Sequence, residues 1–177
     1  GLGTPDCPVF DGVLRLASLS AGASLAGARL IASGGARLAF HPTGGFHHAG
    51  PATAEGFCYI NDVVLACTEL AEGGARVACV DLDAHHGNGT EAAFLDERRV
   101  LTFSVHQSGK TLYPGTGDET ELGRGEGRGY NVNVPLLPGA GDDAMRRAVE
   151  EIAMPVLEAY RPDFVALEIG MDPLFGD

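Results

Sequence analysis

The sequence predicts an α/β fold with a mainly parallel sheet covered by helices on both faces. Three observations predict it. Three near-continuous apolar runs, at 76–83, 100–106 and 164–170, have the length of buried strands. Stretches with helical periodicity alternate with them. The chain, at 177 residues and 18.3 kDa, has the length of one ordinary domain with a sizeable core.

In chain order, residues 20–32 form a weakly amphipathic, Ala-rich helix candidate, followed by a short apolar run at 37–40. Residues 60–71 read as a second helix, stopped by the pair Gly73-Gly74. Arg76-Val-Ala-Cys-Val-Asp-Leu-Asp83 is the first strand candidate, Val100-Leu-Thr-Phe-Ser-Val-His106 the second and Phe164-Val-Ala-Leu-Glu-Ile-Gly170 the third. Between the last two, Asp142 begins a stretch in which Met145, Val149, Ile152, Val156 and Tyr160 recur at helical spacing. No repeat or low-complexity linker interrupts the chain, so no internal domain boundary is expected.

Composition excludes several classes. With 45% hydrophobic and 20% charged residues the chain is globular. No apolar stretch approaches the roughly 20 residues that span a bilayer, and no basic start followed by an apolar core marks a signal peptide. Twelve basic against 24 acidic side chains give a formal charge of −12, which argues against nucleic acid as a partner. That charge suits a cationic substrate, although acidic surfaces mostly serve solubility. Cys7, Cys58, Cys67 and Cys79 form no CxxC pair, and three sit in apolar surroundings. Reduced core thiols in a cytoplasmic protein that engages no membrane are expected.

The chemistry lies at the strand ends, where parallel sheets bind ligands. Asp81, Asp83 and His85 follow the first run, Ser104 and His106 the second, and Asp172 the third. Alternation along an extended chain places Asp81 and Asp83 on one side and lets Asp83 and His85 reach one ion. One imidazole nitrogen with carboxylate oxygens suits Zn²⁺, with Fe²⁺ or Mn²⁺ as alternatives. Asp172 is the candidate third ligand, which leaves a position open for water and substrate. Read alone, DxDxH is more simply a polar strand end that caps the next turn. In Gly44-Gly-Phe-His-His48 two imidazoles stand side by side after a glycine pair. Beside an open metal site they could take a proton from bound water and deliver one to a leaving amine. Tyr113-Pro-Gly-Thr-Gly-Asp118 is a turn-rich loop and a candidate pocket rim.

Taken together, Gly44-Gly-Phe-His-His-Ala49, Gly56-Phe-Cys-Tyr-Ile-Asn-Asp62, Val80-Asp-Leu-Asp-Ala-His-His-Gly-Asn-Gly89 and Tyr113-Pro-Gly-Thr-Gly117 resemble the histone deacetylase family. That superfamily includes bacterial acetoin-utilization proteins and acetylpolyamine amidohydrolases, and has a three-layer arginase-like fold. The resemblance runs from Asp6-Cys-Pro-Val-Phe-Asp-Gly12 to Gly170-Met-Asp-Pro-Leu-Phe-Gly-Asp177. It implies that Asp83, His85 and Asp172 bind a catalytic zinc. It implies that His48 is the general base and His47 its acid or electrostatic partner, with Asp81 the carboxylate behind His47. Asp81, Asp83, His85, Ser104 and Val105 would form an internal potassium site, partly through backbone oxygens. Phe57 and Tyr113 resemble the aromatic walls of an acyl-lysine channel. Gly56 matches the residue whose carbonyl receives the substrate amide N–H, and Asp6 the rim aspartate that holds the substrate backbone. The implied reaction releases acetate from an acetylated lysine or a related acetylated amine.

The chain departs from the family pattern in three places. Asn88 stands where many members have a second aspartate behind the base, so His48 is expected to be held more readily neutral. Tyr113 stands where phenylalanine is common. The family's catalytic tyrosine lies well downstream of the third zinc ligand, and none of Tyr59, Tyr113, Tyr130 or Tyr160 matches its context. The sequence therefore reads as the central portion of a deacetylase domain, weakly active or inactive in isolation. Two alternatives stand beside the deacetylase reading: a two-metal guanidine hydrolase, and a catalytically impaired binding or scaffold protein.

Overall fold

A computed structural model describes residues 1–174, so Phe175, Gly176 and Asp177 of the last motif lie outside the described residues. Val77, Ala78, Cys79 and Val80 are all buried, because β1 (Val77–Asp81) runs through the middle of a four-stranded sheet. On one side β1 pairs with β2 (Val100–Gln107), which pairs with β3 (Asn131–Leu136); on the other it pairs with β4 (Phe164–Glu168). Every pairing is parallel, and the register sets Asp81 against both Ser104 of β2 and Glu168 of β4.

Alternation along β1 divides the core. Val77 and Cys79 pack with Ala28, Val63, Cys67 and Leu70 beneath α1 (Val13–Ala32) and α2 (Asp62–Ala71). Ala78 and Val80 face the other way, against Leu101, Phe103, Val105, Ala148 and Ala153. Helices therefore cover both faces, as the near-continuous apolar strands require. The four cysteines are buried and unpaired.

The elements depart from the expected boundaries for identifiable reasons. α1 begins at Val13, seven positions before residue 20, although Leu14, Leu16 and Leu19 are exposed and give the segment no apolar face toward the core. Residues 37–40 form no strand, and Leu38 and Phe40 are exposed. The stretch from Asp142 is helical but is not one regular helix. α4 (Asp142–Arg147) and the later α5 (Met154–Tyr160) are joined by a π-helical segment, Ala148–Ala153. Wider π spacing brings Ala148 and Ala153, five apart, onto the buried face and turns Ile152 outward. Pro155, which lacks an N–H to continue the ladder, follows at once.

Two elements were not expected. α3 (Asn88–Phe94) starts inside the motif after β1, and β3 carries asparagine at alternate positions. Among the described residues, no helix is long and apolar enough to cross a membrane.

Candidate active site

The strand β1 ends at Asp81, earlier than the apolar run suggested, and the chain then turns sharply. The Asp83 N–H donates to Asp81 Oδ1 at 3.1 Å, and the His85 N–H donates to Asp83 Oδ1 at 2.6 Å. Asp172 follows β4 in a turn and accepts the Ala84 N–H at 3.1 Å. His85 Nδ1 consequently stands 3.1 Å from Asp83 Oδ1 and 2.7 Å from Asp172 Oδ2. The donor atoms of Asp83, His85 and Asp172 all lie within 4.8 Å of one another and remain partly exposed. Gly170 makes this convergence possible, since a Cβ there would collide with the Asp83 carboxylate and crowd Asp172. Burial raises the Asp83 carboxyl above its ordinary range; the neighbouring carboxylates Asp172 and Asp81 push the same way, and His47 opposes them. Two crowded carboxylates and an imidazole, open on one side, fit a divalent cation of the zinc type.

The tandem histidines lie next to this group but deeper. His47 Nδ1 is 2.7 Å from Asp81 Oδ2, and its Nε2 is 3.1 Å from His48 Nε2 and 3.9 Å from Asp83 Oδ1. Burial works against charge on His47, but the Asp81 carboxylate outweighs it and raises the imidazole above its ordinary value. Burial, followed by the neighbouring His47 charge, pushes His48 down to about 4, against the bond from His48 Nδ1 to Asn88 Oδ1 at 2.8 Å. Neighbouring imidazoles are thereby driven apart in basicity, one favouring its charged form and the other its neutral form. The rings of His48 and His85 are 6.0 Å apart between centroids.

Two residues at the start of α2 hold the histidine loop. Asn61 caps α2 by accepting the Val64 N–H at 2.9 Å, while its Nδ2 donates to the carbonyls of His47 and Ala49, each at 3.1 Å. The Asp62 carboxylate accepts the N–H of Gly45 at 3.1 Å, that of Phe46 at 2.8 Å and the Ser24 hydroxyl at 2.5 Å.

At the rim, Asp6 Oδ2 accepts the Gly56 N–H at 3.0 Å. The Thr4 hydroxyl and this N–H together hold the Asp6 carboxyl below its ordinary range. The Gly56 carbonyl receives the Cys58 thiol at 3.2 Å. Gly56 has a left-handed φ of 54°, and a Cβ there would strike the His48 ring. Phe57 is 73% exposed, and Tyr113 sets its ring 5.1 Å from His48 and 6.3 Å from His85. Tyr113 and Gly56 thus border the approach to the histidines, with Phe57 exposed beside Gly56 in the chain.

Asp81 and Ser104 are Cα partners, and the Ser104 hydroxyl is 2.8 Å from His106 Nδ1. Val105 is fully buried, and since its side chain is aliphatic only its backbone oxygen could act as a ligand. A second convergence was not expected: His47, Asp81 and Glu168 also place donor atoms within 4.8 Å of one another. Burial, then repulsion from Asp81, pushes the Glu168 carboxyl up to about 10.

A network behind the turn at Asp83–His85 was not legible in the sequence. His86 Nε2 is 3.1 Å from Glu91 Oε2, and its Nδ1 is 2.8 Å from the Thr116 hydroxyl. Asn131 and Asn133 each donate to Glu91 Oε2 at 2.7 Å. His106 Nε2 meets the Gly117 carbonyl at 3.0 Å, so the Tyr113 loop is fastened at Thr116 and Gly117. The polar alternation Asn131-Val-Asn133 was the one available signal for this network.

The sequence matches the family model described as "Histone deacetylase domain" over residues 2–177. The chain belongs to the histone deacetylase family. It is 45% identical over 173 residues to "Histone deacetylase 3" of Oryza sativa subsp. japonica, covering 98% of this chain and 34% of that protein. It is 44% identical over 172 residues to "Histone deacetylase RPD3" of Saccharomyces cerevisiae, covering 97% and 40%. "Histone deacetylase 1" of Homo sapiens is 42% identical over 172 residues, covering 97% and 36%. The chain thus spans between 34% and 40% of the length of these relatives. Its parallel sheet flanked by helices is consistent with the histone deacetylase domain.

Proposed function

We propose that this chain is the central portion of a zinc-dependent deacetylase domain that hydrolyses the acetyl amide of acetyl-lysine or a related acetylated amine. The observation that carries the reading is the convergence of Asp83, His85 and Asp172 beside two histidines of divergent basicity. The relatives, named as histone deacetylases, favour acyl-amide over guanidine hydrolysis as the reaction.

Asp83, His85 and Asp172 would hold the zinc. Bound there, zinc would supply Lewis acidity, polarising an amide carbonyl and lowering the pKa of a neighbouring water into the neutral range. His48, kept neutral by its surroundings, accepts a proton from the attacking water at Nε2. His47, paired with Asp81, supplies positive charge beside the reacting carbonyl. An imidazolium then protonates the departing nitrogen, so the amide and water become acetate and a free amine. Phe57 and Tyr113 flank the alkyl chain, the Gly56 carbonyl accepts the substrate N–H, and Asp6 holds the rim. Asp81, Asp83, His85, Ser104 and Val105, partly through backbone oxygens, would offer a largely oxygen set suited to potassium, a hard cation. The four unpaired thiols support a reducing, cytoplasmic setting.

Zinc titration and acetate release from an acetyl-lysine peptide test the reading. One zinc per chain is expected, lost in Asp172→Ala, with acetate release in the complete reading frame abolished by His48→Ala. Failure to bind zinc, or release indifferent to His48, would overturn it. Zinc binding without any release would favour the binding or scaffold role.

A further inference from the structure

His48 can act as a base at Nε2 only if its proton sits on Nδ1. The partner at Nδ1 is Asn88, whose amide can present either end: turned one way it accepts from an imidazole N–H, and turned the other way it donates to a bare nitrogen. A carboxylate in that place carries no such ambiguity. At Nε2, a His47 N–H at 3.1 Å favours the same tautomer when His47 is charged; at Nδ1, another group must decide which way the Asn88 amide points.

Glu55 is placed to decide it. Asn88 Nδ2 donates to Glu55 Oε1 at 3.0 Å, while Asn88 Oδ1 lies 2.8 Å from His48 Nδ1. A carboxylate only accepts, so it claims the NH₂ end and leaves the oxygen for the imidazole. The position of Glu55 is itself fixed, because it exchanges backbone hydrogen bonds with the buried Cys58 at 3.2 and 2.9 Å. We propose that Glu55 is a positioning residue that, through Asn88, fixes the tautomer of His48 with the proton on Nδ1 and Nε2 bare. Carboxylate control of the base is thereby kept, moved one residue outward. This inference rests on the base role given to His48 above, but its test needs no turnover.

The measurement is the tautomer of His48 in the ¹⁵N-histidine-labelled chain near pH 8, read from long-range ¹H–¹⁵N correlations with and without zinc. The signal is assigned with His48→Asn. The parent chain is expected to show the Nδ1–H form almost alone. Glu55→Gln keeps the shape and a hydrogen bond to Asn88, but two facing amides pair equally well in either orientation. The Nδ1–H share should then fall clearly below that of the parent chain, with the remaining bias coming from His47 at Nε2. Adding Asn88→Asp to Glu55→Gln puts an acceptor-only group directly against Nδ1 and should restore the parent tautomer. A purely structural role for Glu55 predicts no such rescue. An unchanged tautomer in Glu55→Gln, or no recovery in the double variant, overturns the proposal. Absence of zinc binding or of acetate release would count against the proposed function and leave this readout standing.

Discussion

Asp81 and Glu168 stand opposite one another across the β1–β4 register, two carboxyl groups brought together at the buried end of neighbouring strands. Asp81 is committed to His47 and held below its ordinary range by it, against the cost of burial. Glu168 takes the opposite course and keeps its proton, with its pKa pushed up to about 10. The unfolded chain releases that proton near the ordinary value of 4.5. Folding stability from this group is therefore complete below about 4.5 and drains away as pH rises towards 10. Glu168→Gln should raise the melting temperature of the metal-free chain by several degrees at pH 8 and hardly at all at pH 4. Equal shifts at both pH values would refute this assignment.

Glu91 behaves in the reverse sense. Despite burial, its bonds from His86, Asn133 and Asn131 hold its carboxyl down at about 2. Its contribution is present above the ordinary value of 4.5 and is lost as pH falls from there towards 2. Urea titration of Glu91→Gln should show a loss of roughly 1–3 kcal/mol at pH 7. The loss should shrink at pH 3, and a deficit that stayed constant with pH would contradict the assignment.

Asp62 touches no candidate ligand, yet it fastens the loop that carries both histidines. Asp62→Ala leaves the N–H groups of Gly45 and Phe46 without their acceptor and should cost about 1–3 kcal/mol. Zinc affinity should change little, since Asp83, His85 and Asp172 are held by other bonds. Calorimetric unfolding and zinc titration on the same sample separate the two effects.

Gly56→Ala tests how closely the rim approaches the base. The added methyl would strike the His48 ring and oppose a left-handed backbone. Zinc should still bind, while acetate release in the complete reading frame should fall by about 10²-fold, the usual effect of misplacing a reacting group by an ångström. Retained turnover would mean that His48 is free to move aside.

What could be read from the sequence was whatever repeats locally. Buried parallel strands announced themselves as apolar runs, and DxDxH and the histidine pair were visible as clusters. β3 escaped because its alternate side chains, Asn131 and Asn133, are polar in order to serve Glu91. The helix after Asp142 was visible, and Met145, Val156 and Tyr160 of its apolar spacing do pack on the core, but the π-helical segment turns Ile152 out and brings Ala153 in. Glu55, Asp62, Glu91 and Glu168 were hidden for a different reason. Each is an ordinary polar residue in its own segment, and its partners come from other elements of the fold.

In β1 one strand does two jobs: alternate residues anchor the opposite halves of the interior, and the last one holds the His47 imidazole. Side chains in a strand change face at every step. A slip of one position against β2 or β4 would swap Val77 and Cys79 with Ala78 and Val80, and would carry Asp81 away from His47. Misaligned pairing would therefore be unstable and chemically silent together. Insertions or deletions within β1 should be much rarer in functional variants of this protein than substitutions that preserve volume, because only the latter leave both jobs in phase.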